Sequence, residues 1–126
     1  MSKAKFYICE HCGNIIEKIA DSGVSVVCCG QKMTKIDAGV VEASREKHIP
    51  AVELDGDTVK VTVGSVTHPM TAEHYIEWIY LETEKGIQRK HLSPTDAPVA
   101  TFSVIDDKPV SVYAYCNLHG LWKAEI

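Results

Sequence analysis

Four of the five cysteines in this 126-residue chain stand within its first 29 positions, and they restrict what that segment can become. Residues 1–36 carry few large apolar side chains. So short a piece cannot bury enough surface to hold itself together, and a bound metal would supply what the core lacks. The run "YICEHCGN" supplies Cys9 and Cys12 at C-x-x-C spacing, followed by Gly13. Two thiolates at that spacing can reach one ion, and the glycine lets the backbone turn beneath them and aim N–H groups at the sulfurs. "VVCCGQ" supplies Cys28 and Cys29 side by side, again followed by a glycine, Gly30. Four sulfurs make a tetrahedral site suited to zinc or iron. Adjacent cysteines cannot both take the relaxed geometry of a C-x-x-C loop, so one S–metal–S angle should be forced open. A structural zinc ribbon normally uses two C-x-x-C knuckles and remains an alternative, as does a vicinal Cys28–Cys29 disulfide. His11, inside the first knuckle, reads as a solvated side chain.

An odd total of five cysteines argues against a closed disulfide framework. The N-terminal "MSKAKFYICEHCG" lacks the apolar stretch of a signal peptide, and no run is long enough to span a bilayer. The expectation is a cytoplasmic protein, in which thiols stay reduced and clustered cysteines hold metal. A formal charge of −4 gives no footing for non-specific nucleic-acid binding.

Asp37 to Lys47, "DAGVVEASREK", reads as a connector. From Ile49 the pattern becomes β-rich. "IPAVEL", the turn "DGD" and "TVKVTV" read as a hairpin. "HYIEWIYLE" alternates as a strand with Ile76, Trp78 and Tyr80 on one face. "IQRKHL", "PVATFSV", "VSVYAYC" and "LWKAEI" complete about seven strands, which predicts an immunoglobulin-like β-sandwich. The fold class is therefore mainly β, with a small metal-knuckle domain at residues 1–36 and a sandwich at residues 37–126.

The fifth cysteine opens a second constellation. "YCNLHG" places Cys116 three positions before His119, where both share one side of a turn. Of six histidines, His48 ("EKHIP"), His68 ("THPM") and His74 ("EHYIEW") stand at strand edges. Pro50 and Pro69 bias Ile49 and His68 toward extended backbone. Strand-edge residues of a sandwich can converge at one of its ends. The short link to Cys116 favours Nδ1 of His119 as its ligating nitrogen, with Nε2 free on the others. Taken singly, a strand-edge histidine is usually a surface residue and a lone cysteine a small buried hydrophobe. Imidazoles with one thiolate suit iron, copper or zinc. A blue-copper arrangement with Met70 as axial ligand is one option, but it leaves two histidines idle.

These residues together resemble the desulfoferrodoxins, two-iron superoxide reductases. "YICEHCGN", "VCCG", "EKHIP", "VGSVTHPM", "HYIEWI" and "YCNLHGLWKAE" fall in that family's order and spacing over nearly the whole chain. The resemblance implies a desulforedoxin-like domain with an Fe(Cys)4 centre on Cys9, Cys12, Cys28 and Cys29. It also implies an immunoglobulin-like catalytic domain with an Fe(His)4(Cys) centre. There His48, His68, His74 and His119 would be equatorial and Cys116 axial, with one position open. It further implies reduction of superoxide to hydrogen peroxide, a homodimer, and rubredoxin or a similar small redox protein as electron donor. Glu46 would be the carboxylate that takes the open position after oxidation, and Lys47 would add positive charge for an incoming anion. His91 matches no ligand position. Two other functions compete: a rubredoxin-like electron carrier without its own oxygen chemistry, and a zinc-stabilised binding module. A pure carrier would not need Cys116 together with its histidines, and visible spectroscopy separates colourless zinc from ferric thiolates.

Overall fold

Short strands joined by tight turns account for almost all the regular structure in the computed structural model, which describes residues 2–126. The chain divides into two compact units, Lys3–Asp37 and Ser2 with Ala38–Ile126.

In the smaller unit, β1 (Phe6–Ile8) lies between β2 (Ile15–Glu17) and β5 (Thr34–Ile36), antiparallel to both. β3 (Val27–Cys28) and β4 (Gln31–Lys32) form a two-residue ladder beside the second cysteine pair. Phe6, Cys9 and Met33 are its buried apolar residues among those described. That is too little to offset the entropy of ordering such a segment. Its turns use the left-handed backbone region at Gly13 (φ +83°) and Gly30 (φ +73°), where a glycine carries no steric penalty.

The larger unit begins with one helical turn, α1 (Arg45–His48), followed at once by β6 (Pro50–Asp55). Ile49 between them is extended (φ −69°, ψ 122°), as the residue before a proline is expected to be. β7 (Thr58–Val63), β8 (Ile76–Thr83), β9 (Ile87–His91), β10 (Val99–Ser103), β11 (Pro109–Cys116) and β12 (Gly120–Glu125) complete seven strands. They form two antiparallel sheets, ordered β10-β7-β6 and β12-β11-β8-β9. Alternation fills the space between them: Val59, Val61 and Val63 from β7, Ala100 and Phe102 from β10, and Val112, Ala114 and Cys116 from β11. The result is an immunoglobulin-like β-sandwich. No helix among the described residues is long and apolar enough to cross a membrane.

The β8–β11 pair departs from simple register twice, and the shift beside Cys116 bears on the site. Cys116 pairs with Ile76 and Tyr115 with Trp78, so Glu77 is an extra residue in β8. The bulge turns Ile76 onto the core face with Ile79 and Leu81. Ile76 therefore does not share a face with Trp78 and Tyr80, as strict alternation predicts. Trp78 stacks on Tyr115 (ring centroids 5.5 Å, interplanar 7°) and Tyr80 meets Tyr113 edge-on.

Candidate metal centres

The first donor cluster lies in the smaller unit. The ligand atoms of Cys9, Cys12, Cys28 and Cys29 are all within 4.8 Å of one another. Cys12 and Cys28 sulfurs are 3.6 Å apart, and those of Cys28 and Cys29 4.0 Å. Two turns make this possible. The Gly13 N–H donates to the Cys9 carbonyl (2.8 Å), and the Cys12 N–H points at the Cys9 sulfur (3.5 Å). At the second pair, Cys29 takes a left-handed backbone (φ +54°). That conformation is costly for a residue with a Cβ, and it lets two neighbouring side chains face one point. The Asn14 amide adds a donor to the Cys28 sulfur (3.6 Å).

Electrostatics within the cluster favour a cation. Backbone N–H donation, chiefly from Cys12, lowers the Cys9 thiol to about 6. The sulfurs of Cys12 and then Cys9 push Cys29 up to about 12, and the same neighbours raise Cys28. Four adjacent thiolates repel one another unless an ion sits among them, and a bound metal reverses that balance. His11 is exposed.

The second cluster gathers at one end of the sandwich. His48 ends α1, His74 stands just before β8, and Cys116 and His119 flank the turn from β11 to β12. His68 follows β7 and is held by its own N–H on the Val63 carbonyl (3.0 Å). The ligand atoms of His48, His68, His74 and Cys116 lie within 4.8 Å of one another. His119 joins them through Nδ1, 3.2 Å from Nε2 of His48 and 3.9 Å from the Cys116 sulfur.

The tautomers can be read from the hydrogen bonds. The Nδ1–H of His48 donates to the Ser44 carbonyl (2.6 Å), and that of His68 to the Pro69 carbonyl (2.7 Å). A carbonyl only accepts, so each ring's single neutral N–H is spent there and Nε2 is left bare. Those two bare Nε2 atoms face each other at 3.1 Å. The Nε2 of His74 is also buried, with no hydrogen-bond partner. Lone pairs pointed together in a dry site repel, and protonation would relieve them only against the cost of burial. Burial, offset in part by the Pro69 carbonyl, lowers His68 to about 4. It is also the largest cause lowering His48 and His74, and the nearby Lys47 charge acts on both in the same direction. A metal cation among these nitrogens removes the conflict, so the donor set fits one.

Cys116 is fully buried. Burial raises its thiol, while hydrogen bonds from the Leu118 and His119 N–H groups pull it down. Glu46 and Lys47 are exposed on α1, next to His48. The helix is pinned by its own backbone: the Glu46 carbonyl accepts from Val66 N–H (2.9 Å) and the Ser65 hydroxyl (3.2 Å). Trp122 packs its ring on His48 (5.0 Å) and donates its Nε1–H to the His119 carbonyl (3.0 Å). The carbonyls of Ser44 and Pro69 and the indole of Trp122 were not legible as site residues. Any residue can supply a carbonyl, and a tryptophan in "LWKAEI" reads simply as core. His91 lies apart on β9, with Nε2 beside Arg89 (2.7 Å). A cleft of about 480 Å³ at the opposite end of the strands is lined by Asp57, Lys85, Asp106 and Asp107 among others. It contributes to neither donor cluster.

Comparison with known proteins agrees with this arrangement. The desulfoferrodoxin family model matches residues 40–125, and the model of the desulfoferrodoxin N-terminal domain matches residues 2–36. A desulfoferrodoxin from Syntrophotalea carbinolica is 46% identical over 123 residues, covering 98% of this chain and 97% of the relative. The crystal structure of the superoxide reductase from Treponema pallidum superposes with a TM-score of 0.83 at 43% identity, covering 98% of this chain and 100% of that one. A superoxide reductase of the 1Fe type from Giardia intestinalis superposes with a TM-score of 0.57 at 34% identity, covering 64% of this chain and 97% of its own. The four-sulfur cluster and the imidazole–thiolate cluster match the two iron centres of such proteins, and with both family models spanning nearly the whole sequence, this chain belongs to the desulfoferrodoxin family.

Proposed function

We propose that this chain is a superoxide reductase, in which superoxide, one electron and two protons become one hydrogen peroxide. The observation that carries the reading is the meeting of bare Nε2 lone pairs from His48 and His68 at 3.1 Å beside the buried sulfur of Cys116. In this assignment Cys9, Cys12, Cys28 and Cys29 of a domain at residues 1–36 hold one iron. A catalytic domain at residues 37–126 holds the other, through Nε2 of His48, His68 and His74, Nδ1 of His119 and the sulfur of Cys116. Iron held there would supply the electron and the Lewis acidity that binds the anion.

The protein's own groups do the rest. Neutral imidazoles leave the metal's charge undiminished and a single thiolate lowers it only in part, so the site attracts an anion although the chain carries −4 overall. Lys47 adds to that attraction. Its charge already bears on His48 and His74, and its exposed ammonium can donate a hydrogen bond to the anion, with both protons of the peroxide drawn from water. Cys116 donates electron density toward the site, and the N–H groups of Leu118 and His119 moderate that donation. Glu46 is assigned the role of exchangeable carboxylate in the oxidised protein, since a harder, more highly charged ion favours oxygen donors.

We assign the protein to a cytoplasmic, reducing setting, where clustered cysteines stay available to metal. A small redox protein such as rubredoxin is the proposed donor. Exposed Ile19, Val24 and Val27 on the smaller unit are consistent with a homodimer; sedimentation at a single chain's mass would rule it out. A rubredoxin-like carrier would need only the four-cysteine unit.

The products decide the reaction. With superoxide generated steadily and a reduced donor present, the iron-loaded protein should yield one peroxide per superoxide, consume one donor electron, and evolve no dioxygen. Dioxygen at half the superoxide consumed would make it a dismutase and overturn the reading. In the same assay Lys47→Ala should slow the reaction most at low ionic strength, where charges are least screened; an unchanged rate there would remove Lys47 from the mechanism.

A further inference from the structure

Two histidines of the second cluster are fixed by ring hydrogen bonds within their own segments. His48 and His68 are locked through Nδ1 to backbone carbonyls, and the His119 carbonyl receives the Trp122 indole. The ring of His74 has no such lock among the described residues: its Nε2 is buried without a partner. It also stands outside any strand, in a turn closed by Thr71, whose N–H donates to the His74 carbonyl (2.9 Å) and whose hydroxyl accepts from the His74 N–H (3.1 Å). That turn closes on itself, and the side chain that ties it to the Cys116–His119 turn is that of Asn117. The Asn117 amide oxygen accepts the N–H of Tyr75 (2.9 Å), and its amide nitrogen donates to the carbonyl of Glu73 (2.9 Å). The Asn117 N–H donates to the Tyr75 carbonyl as well (3.2 Å). Asn117 thus grips the residue on each side of His74, while its own neighbour in the chain is Cys116.

We propose that Asn117 is the positioning residue for His74, clamping the His74 turn to the Cys116–His119 turn so that imidazole and sulfur keep their spacing whether or not an ion is present. The clamp needs an acceptor and a donor at fixed separation on a short stem. Asparagine provides both, aspartate only the acceptor, and alanine neither. The inference rests on His74 being a ligand, as assigned above, and the test separates the two claims.

The full-length, iron-loaded protein is challenged with a strong chelator, and loss of the thiolate–iron absorption of the second centre is followed while that of the four-sulfur centre serves as internal control. Asn117→Ala should release the second iron faster, in keeping with the roughly 10- to 100-fold loss of metal affinity that follows removal of a partner orienting a ligand. Asn117→Asp should fall between that and the wild type, and the four-sulfur centre should be unaffected in both. His74→Ala should also release the second iron faster, and adding Asn117→Ala to it should give little further loss, because the clamp then has nothing to position. Amide exchange at Tyr75 should quicken in Asn117→Ala and stay near the wild-type rate in Asn117→Asp, which keeps the acceptor. Wild-type release in Asn117→Ala, fully additive losses in the double variant, or equal acceleration at both centres would each overturn the clamp. Unchanged release in His74→Ala would instead overturn the assignment of His74 as a ligand.

Discussion

A neutral imidazole has one N–H, and where that proton goes decides which nitrogen is left to bind. At His48 and His68 the backbone takes it at Nδ1, so both present Nε2 to the site. The short Cys116-x-x-His119 link made Nδ1 the nitrogen to expect for His119, and that atom is the one near His48 and the sulfur. What the sequence could not display was the pair of carbonyl acceptors, because every residue carries one. The same burial has a consequence for pH. In the metal-free protein, His68 is lowered from an ordinary 6.5 to about 4 and His48 and His74 are lowered too, all chiefly by burial. The unfolded chain then binds protons that the folded chain refuses. This contribution to stability is whole above about pH 6.5 and is lost as pH falls toward about 4. Thermal melts of the metal-free protein should therefore drop between about pH 7 and about pH 5, before most carboxylates titrate. His68→Asn, which cannot titrate, should flatten the slope. A melting temperature that is level or rises on acidification contradicts the account.

At the scale of elements, the strand pattern was plain in the sequence because each strand is short, bounded by turn residues, and alternates over a single shared core. Two features escaped it. The bulge at Glu77 inserts one residue into β8 without altering its composition, so alternation assigned Ile76 to the wrong face. The single turn of α1 is too brief to show a helical period, and Asp37 to Lys47 read as a plain connector. Yet α1 carries His48, and its seat depends on Gly64. A Cβ at Gly64 would lie 2.5 Å from the Glu46 carbonyl oxygen and 2.8 Å from that of Ile49. Both are backbone atoms and cannot swing aside. Gly64→Ala should displace α1, destabilise the sandwich by about 1–3 kcal/mol, and loosen the second iron more than the first. Urea unfolding combined with chelator release checks this, and a variant that keeps both wild-type stability and wild-type release would show that α1 has room to spare.

For the whole molecule, the division of labour follows from how each unit is held together. The smaller unit has few buried side chains and depends on its sulfurs, whereas the sandwich has a continuous apolar core and positions its donors on strand ends and turns. The position of the two cysteine-bearing regions in the sequence foreshadowed this, since one lies in a segment without a core and the other at the end of an alternating strand. The site at the end of the sandwich should therefore outlast loss of the other. With Cys28 and Cys29 both replaced by Ser, the first ion loses two of its four sulfurs, and the iron that remains should be that of the sandwich. X-ray absorption at the iron edge of this variant is the most direct check that His48, His68, His74, His119 and Cys116 share one ion. The expected spectrum has a single sulfur neighbour with nitrogen donors making up the rest, and the sulfur disappears when Cys116→Ser is added. Iron without a sulfur neighbour, or a sulfur that persists after Cys116→Ser, would contradict the account.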